Sequence, residues 1–382
     1  MTVCSRCVLD TSDPNISFDE EGVCNYCRMD EEVRDFLPKC GLEKKVQEIK
    51  DYGQSRNYDC MLGFSGGVDS SYLAYVSHQL GLRVLLINVD NGFNSEIAKH
   101  NIRQVVKHTG FPLLTVRPDF DEFADLVVSY MKASVLDVDI PADEAIVAVN
   151  FKVAEQKKIK YLLDGYNHNT EYFMPRAWTY ENKNDLVNMK NIHRLFGTVE
   201  LKKFPLLGCV GKFRIHKSDF SFVCLLNYIN FKKTEALKTL MKEWGFRVYG
   251  HKHYENIFSR FYQGYMLPTK WGIDKRKSHL SSLVRNGEIT RKKALVELEK
   301  SPYDATDVYG VDVPAYNLEG DRKLVLTKLK LSEDEFEALM RLPNVQHEFY
   351  GTDKGFYDLL DAYNGCRRFV GRQLKRVKRH LP

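Results

Sequence analysis

The chain has 382 residues, too many for one ordinary domain and suited to two or three. Its 43% hydrophobic content supports a sizeable core and excludes general disorder, while a net charge of +5 is too mild to argue for nucleic acid. The opening MTVCSRCVLD lacks the apolar run of a signal peptide, and no segment approaches the roughly 18 apolar residues of a membrane span. The expected location is the cytoplasm.

Residues 1–40 are turn-rich and punctuated by cysteine. Cys4, Cys7, Cys24 and Cys27 form C-x2-C-x16-C-x2-C, a spacing that points two thiolate knuckles at one tetrahedral ion. Four thiolates leave no open position, so the expected metal is a structural Zn²⁺. An iron–sulfur cluster and four unrelated buried thiols are the competing readings. Cys40, Cys60, Cys209, Cys224 and Cys366 are scattered, as small buried hydrophobes are.

From residue 41 to about 230 the pattern is one of repeated βα units. Apolar runs at 58–64, 84–89, 113–116 and 161–164 have the continuous character of strands buried on both faces. Helical segments at 70–80, 95–109, 120–134 and 142–157 separate them, with Ser95 placed to cap and Gly110 to stop the second. Alternation of this kind predicts a parallel, doubly wound α/β sheet whose ligand lies beyond the carboxyl ends of the strands. Ser65 to Ser71, Asp90-Asn91 and Asp164 to Glu171 fall at those ends.

The first of these loops, Ser65-Gly66-Gly67-Val68-Asp69-Ser70-Ser71, joins a strand to a helix. Glycines let the backbone approach a ligand, and the helix start adds unpaired N–H donors and a positive dipole end, which favour an anion. Asp69 is placed to hold Mg²⁺ or to fix the loop. Neither G-x-x-x-x-G-K-[ST] nor G-x-G-x-x-G is present.

FSGGVDSS resembles the PP-loop of the ATP pyrophosphatases (adenine nucleotide alpha hydrolase-like), which cut ATP between its α and β phosphates and pass AMP to a substrate oxygen. The resemblance implies that Ser65, Gly66, Gly67, Asp69, Ser70 and Ser71 bind pyrophosphate and its Mg²⁺. Asn88, Asp90 and Gly165 would lie near the nucleotide. The loop Gly165-Tyr166-Asn167-His168-Asn169-Thr170-Glu171 is dense in polar groups, so His168, Asn169 and Glu171 are candidates for substrate binding.

Residues 231–382 are mainly helical, more basic and more aromatic. HYENIFSRF supplies Glu255 and Arg260 as substrate-binding candidates, and KWGIDKRKSHLSSL supplies Lys275 and Arg276 as cations to neutralise the breaking triphosphate. Arg367–Pro382 carries seven Lys/Arg on an amphipathic pattern, either packed on its own domain or offered to a partner.

The order of knuckle, SGGVDSS, VDNGF, DGYN-NTE, HYENIFSRF and the late Lys/Arg segment resembles the WbpG-type N-acetyl sugar amidotransferases of bacterial surface-polysaccharide (O-antigen) synthesis. That family turns an acetamido group of a nucleotide sugar into an acetamidino group with ATP and ammonia. The resemblance implies a UDP-linked acetamido sugar as substrate. It also implies a separate glutaminase resembling the histidine-pathway subunit (HisH-like) with a cyclase-type companion (HisF-like). This chain has no G-x-C-x-G nucleophile motif, and Thr2 stands where an N-terminal cysteine would. A tRNA thiolase of the PP-loop class is the rival reading, kept open by the basic tail.

Overall fold

The computed structural model describes residues 2–34, 37–38, 41–180 and 182–355. Cys40, Cys366 and the basic segment from Arg367 lie outside them.

Five strands form one all-parallel sheet in the order β3-β2-β1-β4-β5: β1 (Cys60–Gly63), β2 (Val84–Val89), β3 (Leu113–Val116), β4 (Tyr161–Leu163) and β5 (Ser221–Val223). Strand side chains alternate between faces. Cys60, Leu62, Val84 and Leu86 join one apolar cluster, while Met61, Leu85 and Ile87 join another on the opposite face. Both faces are covered, which is why β1 and β2 are unbroken apolar runs. β5 was not legible in the sequence. It is three residues long, at an edge, with Phe222 53% exposed, so it has no periodic signal to give.

The helices follow in chain order: α1 (Asn25–Arg34), α2 (Leu42–Gly53), α3 (Val68–Gln79), α4 (Glu96–Thr109), α5 (Phe120–Ala133), α6 (Ile140–Lys157), α7 (His168–Glu171), α8 (Leu186–Phe196) and α9 (Cys209–Lys217). Beyond the sheet come α10 (Lys233–Trp244), α11 (Ile257–Phe261), a π-helical stretch at Tyr262–Trp271, α12 (Arg276–Arg285), α13 (Arg291–Glu299), α14 (Leu318–Leu329) and α15 (Glu333–Arg341). Ser95 Oγ accepts from Ala98 N at the start of α4, and Gly110 ends it at φ +66°, as the sequence predicts. Among the described residues no helix is long and apolar enough to cross a membrane.

The sheet and the later helices share a core. Ala236, Leu237 and Leu240 of α10 pack in the same cluster as Leu73 and Ala74 of α3. The cysteine knuckle is likewise pinned to the C-terminal helices. Arg291 donates to Cys4 O and Cys7 O, Ser281 Oγ accepts from Val8 N, and Lys277 pairs with Asp10 at 2.6 Å.

On the far side, His347 stacks on Tyr180 with ring centroids 4.0 Å apart. Asn188 donates its amide hydrogens to His347 O and Gly351 O, so its Oδ1 accepts from His347 Nδ1 at 3.0 Å. Burial pushes this imidazole down to about 4. The unfolded chain therefore binds the proton first. Stability should fall as pH drops from about 6.5 to about 4, by about 3 kcal/mol for this group. Urea unfolding at stepped pH checks it, and the fall should be smaller in His347→Gln.

Candidate functional site

The strand order places a switch point between β1 and β4, where the chain reverses its direction of winding, and ligands of open α/β sheets bind at such points. The loop after β1 and the Asp164-Gly165 turn after β4 meet here around a cavity of about 210 Å³. Two glycines are required. Gly66 has φ +81°. A Cβ on Gly67 would stand 2.6 Å from Glu255 Oε1 and 2.9 Å from Tyr249 Oη, so the cradle exists only because that residue has no side chain.

Long-range partners complete the loop. Tyr249 Oη accepts from Val68 N at 2.8 Å, and Ser65 Oγ donates to Glu255 Oε1 at 3.2 Å while accepting from Gly67 N. The ammonium of Lys252, 6% exposed, lies between two carboxylates, 2.9 Å from Asp69 Oδ2 and paired also with Glu171. Burial pushes the Asp69 carboxyl up, but the charges of Lys252 and Lys233 outweigh it and leave it below the usual carboxylate range. In Glu171 burial wins, assisted by the Asp69 charge, and the carboxyl is raised. Glu255 is raised by burial. Asp69 Oδ1 and Glu255 Oε2 are buried with no hydrogen-bond partner.

These features fit a nucleotide phosphate with its metal ion. A buried ammonium already occupies the space between Asp69 and Glu171, unsatisfied carboxylate oxygens remain beside it, and the start of α3, whose Val68, Asp69 and Ser70 line the cavity, is the end of a helix that favours an anion.

A second, apolar cavity of about 230 Å³ adjoins the first and shares Gly63, Ser65 and Asp164 with it. Ile87, Phe151, Leu163 and Phe222 line it, and Asn150 presents a buried Oδ1 that has no partner.

The structure brings Ser65, Gly67, Asp69, Ser70, Gly165, Glu171 and Glu255 to the phosphate cavity. Other expected residues stand elsewhere. Gly66 packs against Ala98 and Ile102 of α4, and the Ser71 hydroxyl is buried away from the cavity. Asn88 donates to Phe64 O at 2.7 Å and holds the strand end, while Asp90 turns onto Gly92 N and pairs with Arg117. His168 binds Asp30 at 2.7 Å and Asn169 joins Phe231 O to Arg34, so both tie α7 to its neighbours instead of facing ligand. Arg260 is held by Asp321 and Tyr254 O, and Arg276 by Asp274, Glu297 O and Lys300 O. Both guanidinium groups are engaged in fixing loops, and neither the substrate-binding candidate Arg260 nor the triphosphate candidate Arg276 lines the phosphate cavity. Lys275 lies in a different cluster, over the Tyr262 ring.

Tyr249, Lys252 and His253 also line the phosphate cavity, beyond the residues the sequence singles out for it. Their one sequence signal is the polar string around Gly250 that runs into HYENIFSRF, of which His253 is the first residue.

Cys4, Cys7, Cys24 and Cys27 are fully buried, with all four sulfurs within 4.8 Å of one another. Cys7 Sγ and Cys24 Sγ are 3.7 Å apart. A tetrahedral ion with metal–sulfur bonds of about 2.3 Å would separate its sulfurs by about 3.8 Å. The backbone N–H of Cys24 donates to Cys4 Sγ at 3.2 Å, as a thiolate would accept it. The set fits one metal ion.

No curated protein matches the chain. Among solved structures it is similar to NMN synthetase from Francisella tularensis, at 14% identity and a TM-score of 0.27, over 35% of this chain and 59% of that one. It is also similar to the U34-tRNA thiolase NcsA from Methanococcus maripaludis with its 4Fe-4S cluster, at 16% identity and a TM-score of 0.35, over 85% and 88%. A family model described as "LPS biosynthesis protein WbpG-like, C-terminal domain" matches residues 255–363. The chain thus joins a parallel sheet with a glycine loop at its switch point and a four-cysteine cluster ahead of it to a segment, residues 255–363, that is similar to the WbpG-like C-terminal domain.

Proposed function

We propose that the protein is an ATP-dependent amidotransferase of surface-polysaccharide synthesis. It converts an acetamido group of a UDP-linked sugar into an acetamidino group, forming AMP and pyrophosphate. The observation that carries this is the buried Lys252 ammonium shared by Asp69 and Glu171 at the mouth of a glycine cradle, inside a WbpG-like chain. The apolar cavity next to it suits a purine, and Asn150 Oδ1 suits the exocyclic amine of adenine.

An amide oxygen is a poor leaving group until it carries AMP. The loop N–H groups and Ser70 would hold the departing pyrophosphate. Lys252 would follow the developing negative charge, since its carboxylate partners anchor it within reach. A magnesium ion bound with ATP, held by Asp69 and Glu255, would supply further charge neutralisation. Tyr249 keeps the loop in shape from behind through Val68 N. Ammonia then displaces AMP, and a partner glutaminase with its cyclase-type companion would deliver it.

A thiolase would need a poised sulfur carrier. Of the cysteines outside the knuckle whose side chains are described, Cys60 lies inside β1 with its thiol pushed up by burial and burial raises Cys224 to about 11, so neither of these two is activated. The four knuckle cysteines are proposed to hold structural zinc.

The test mixes the protein with ATP, a panel of UDP-acetamido sugars and ammonium at raised pH, and reads AMP and an amidine by mass spectrometry. Glutamine alone should give nearly nothing, and adding the partner glutaminase should restore turnover at neutral pH. ADP and phosphate as products, or turnover on glutamine by the single chain, would overturn the reading.

A further inference from the structure

A second polar cluster lies outside the phosphate cavity. Asp137 and Asp139 precede α6, Asp143 sits in its first turn, Lys183 approaches from the α7–α8 connection, and Lys275 stands at the start of α12. Lys183 bridges Asp143 at 2.7 Å and Asp137 at 3.6 Å. Asp137 Oδ2 is further held by Thr179 Oγ1 and Tyr180 N, and Oδ1 has Tyr262 Oη at 3.5 Å.

Two groups are left over. Asp139 takes one hydrogen bond, from Ser259 Oγ at 2.8 Å to Oδ2, while Oδ1 is buried and has no partner. Lys275 is 7% exposed, and its Nζ lies 5.4 Å over the Tyr262 ring, with no hydrogen bond or ion pair among the described residues. Burial holds this lysine below its usual value, and its charge is felt by Asp137, Asp139 and Asp143. A largely buried lysine without a direct partner and a buried, unpartnered carboxylate oxygen are together satisfied by a ligand that offers one acceptor and one donor.

The cluster is not sealed. The Lys183 and Asp143 side chains are 39% and 36% exposed, which gives it a mouth. It also lies near the phosphate cavity. His253, which lines that cavity, is within reach of the charges of Lys252 and Lys233 and of Lys183 and Lys275.

We infer that this cluster is the binding site for a secondary amide, the acetamido group of the substrate, with Lys275 donating to the amide oxygen and Asp139 Oδ1 accepting the amide N–H. The match is one of valence: a secondary amide presents a carbonyl oxygen that accepts and an N–H that donates, at the two ends of one C–N bond. The inference rests on the amidotransferase reading for the identity of the amide, though not for the presence of the site. Asp139 then has a chemical part. As the amide oxygen bonds to the α-phosphorus and pyrophosphate leaves, the N–H proton passes to the Asp139 carboxylate. When ammonia adds to the carbon and AMP departs, the proton returns to the nitrogen, and the product is an amidine. Burial and the neighbouring Asp143 raise the Asp139 carboxyl to about 7, which suits a group that takes and returns a proton.

Two probes on the full chain test this. Saturation-transfer NMR with N-methylacetamide reports the amide site alone. Calorimetry with UDP-N-acetylglucosamine, and UDP-glucose as control, reports the nucleotide sugar. Asp139→Ala and Lys275→Met should each weaken N-methylacetamide binding about tenfold or more, with ATP binding within about twofold of wild type. Lys275→Met should also keep or raise the thermal midpoint, because it replaces a buried unpaired charge by an apolar chain of similar shape. Amide binding that is absent in the wild type, or equal in wild type and both variants, would overturn the proposal. If N-methylacetamide binds through the cluster but no UDP-acetamido sugar supports AMP formation, the amide site stands and the nucleotide-sugar reading falls.

Discussion

Asp69→Ala should abolish AMP and pyrophosphate formation, by at least about 10²–10³-fold, while leaving the fold in place. The carboxylate is at the cavity wall, so its removal opens no apolar void. Lys252 keeps its pair with Glu171, and no buried charge is stranded. What is lost is one of the two anions that position the ammonium, and the oxygen left free for a metal ion. Stability should change by no more than about 1–2 kcal/mol, read by urea unfolding, and activity by a coupled pyrophosphate assay. Lys252→Met should give a comparable loss of activity with both carboxylates left unpaired, and so a larger loss of stability. An Asp69→Ala enzyme that still forms AMP at near wild-type rate would remove the phosphate loop from the mechanism.

Cys4→Ser should release the knuckle metal and lower stability by several kcal/mol, because binding to a four-thiolate site is coupled to folding. Purified wild type is expected to carry about one equivalent of zinc by elemental analysis, and the variant far less. The effect should reach well past the knuckle. Arg291 of α13 is bonded to the Cys4 and Cys7 carbonyls, Ser281 of α12 to Val8 N, and Lys277 of α12 to Asp10. The first residues of α12 are therefore steadied by the knuckle, and Lys275 stands next to them. Hydrogen exchange should rise across 276–285 in the variant, and activity should fall with it. Folded, active protein containing no metal would refute the assignment, and iron in place of zinc would change the ion but leave the structural role.

Much of the fold could be read locally. A parallel strand covered on both faces needs consecutive apolar residues, so Val84–Val89 declares itself within six positions. A tight strand–helix junction needs a residue that can take positive φ, and Gly66, at φ +81° just before the helix, meets that need locally. Cysteine pairs at two-residue spacing carry their geometry with them, and Cys4, Cys7, Cys24 and Cys27 converge as the spacing implies. In each case the cause lies within a few bonds of the residue.

Which cation stands at the phosphate cavity was decided only in three dimensions. Lys252 reaches Asp69 across 183 positions, and nothing near it in sequence distinguishes it from the other lysines. Lys275 and Arg276 are neighbours in sequence with opposite fates. Arg276 spends its donors on Asp274 and two carbonyls, whereas Lys275 turns inward over Tyr262 and stays unpaired. Successive side chains at a helix start point about 100° apart, and the packing of α12 on the knuckle and α13 settles which of them is tied down. The sequence determines the elements and the chemistry each can offer, because propensity, turn geometry and ligand spacing are short-range. The tertiary structure decides which of those groups are left without a partner, because a hydrogen bond is satisfied by whatever the fold brings within about 3 Å.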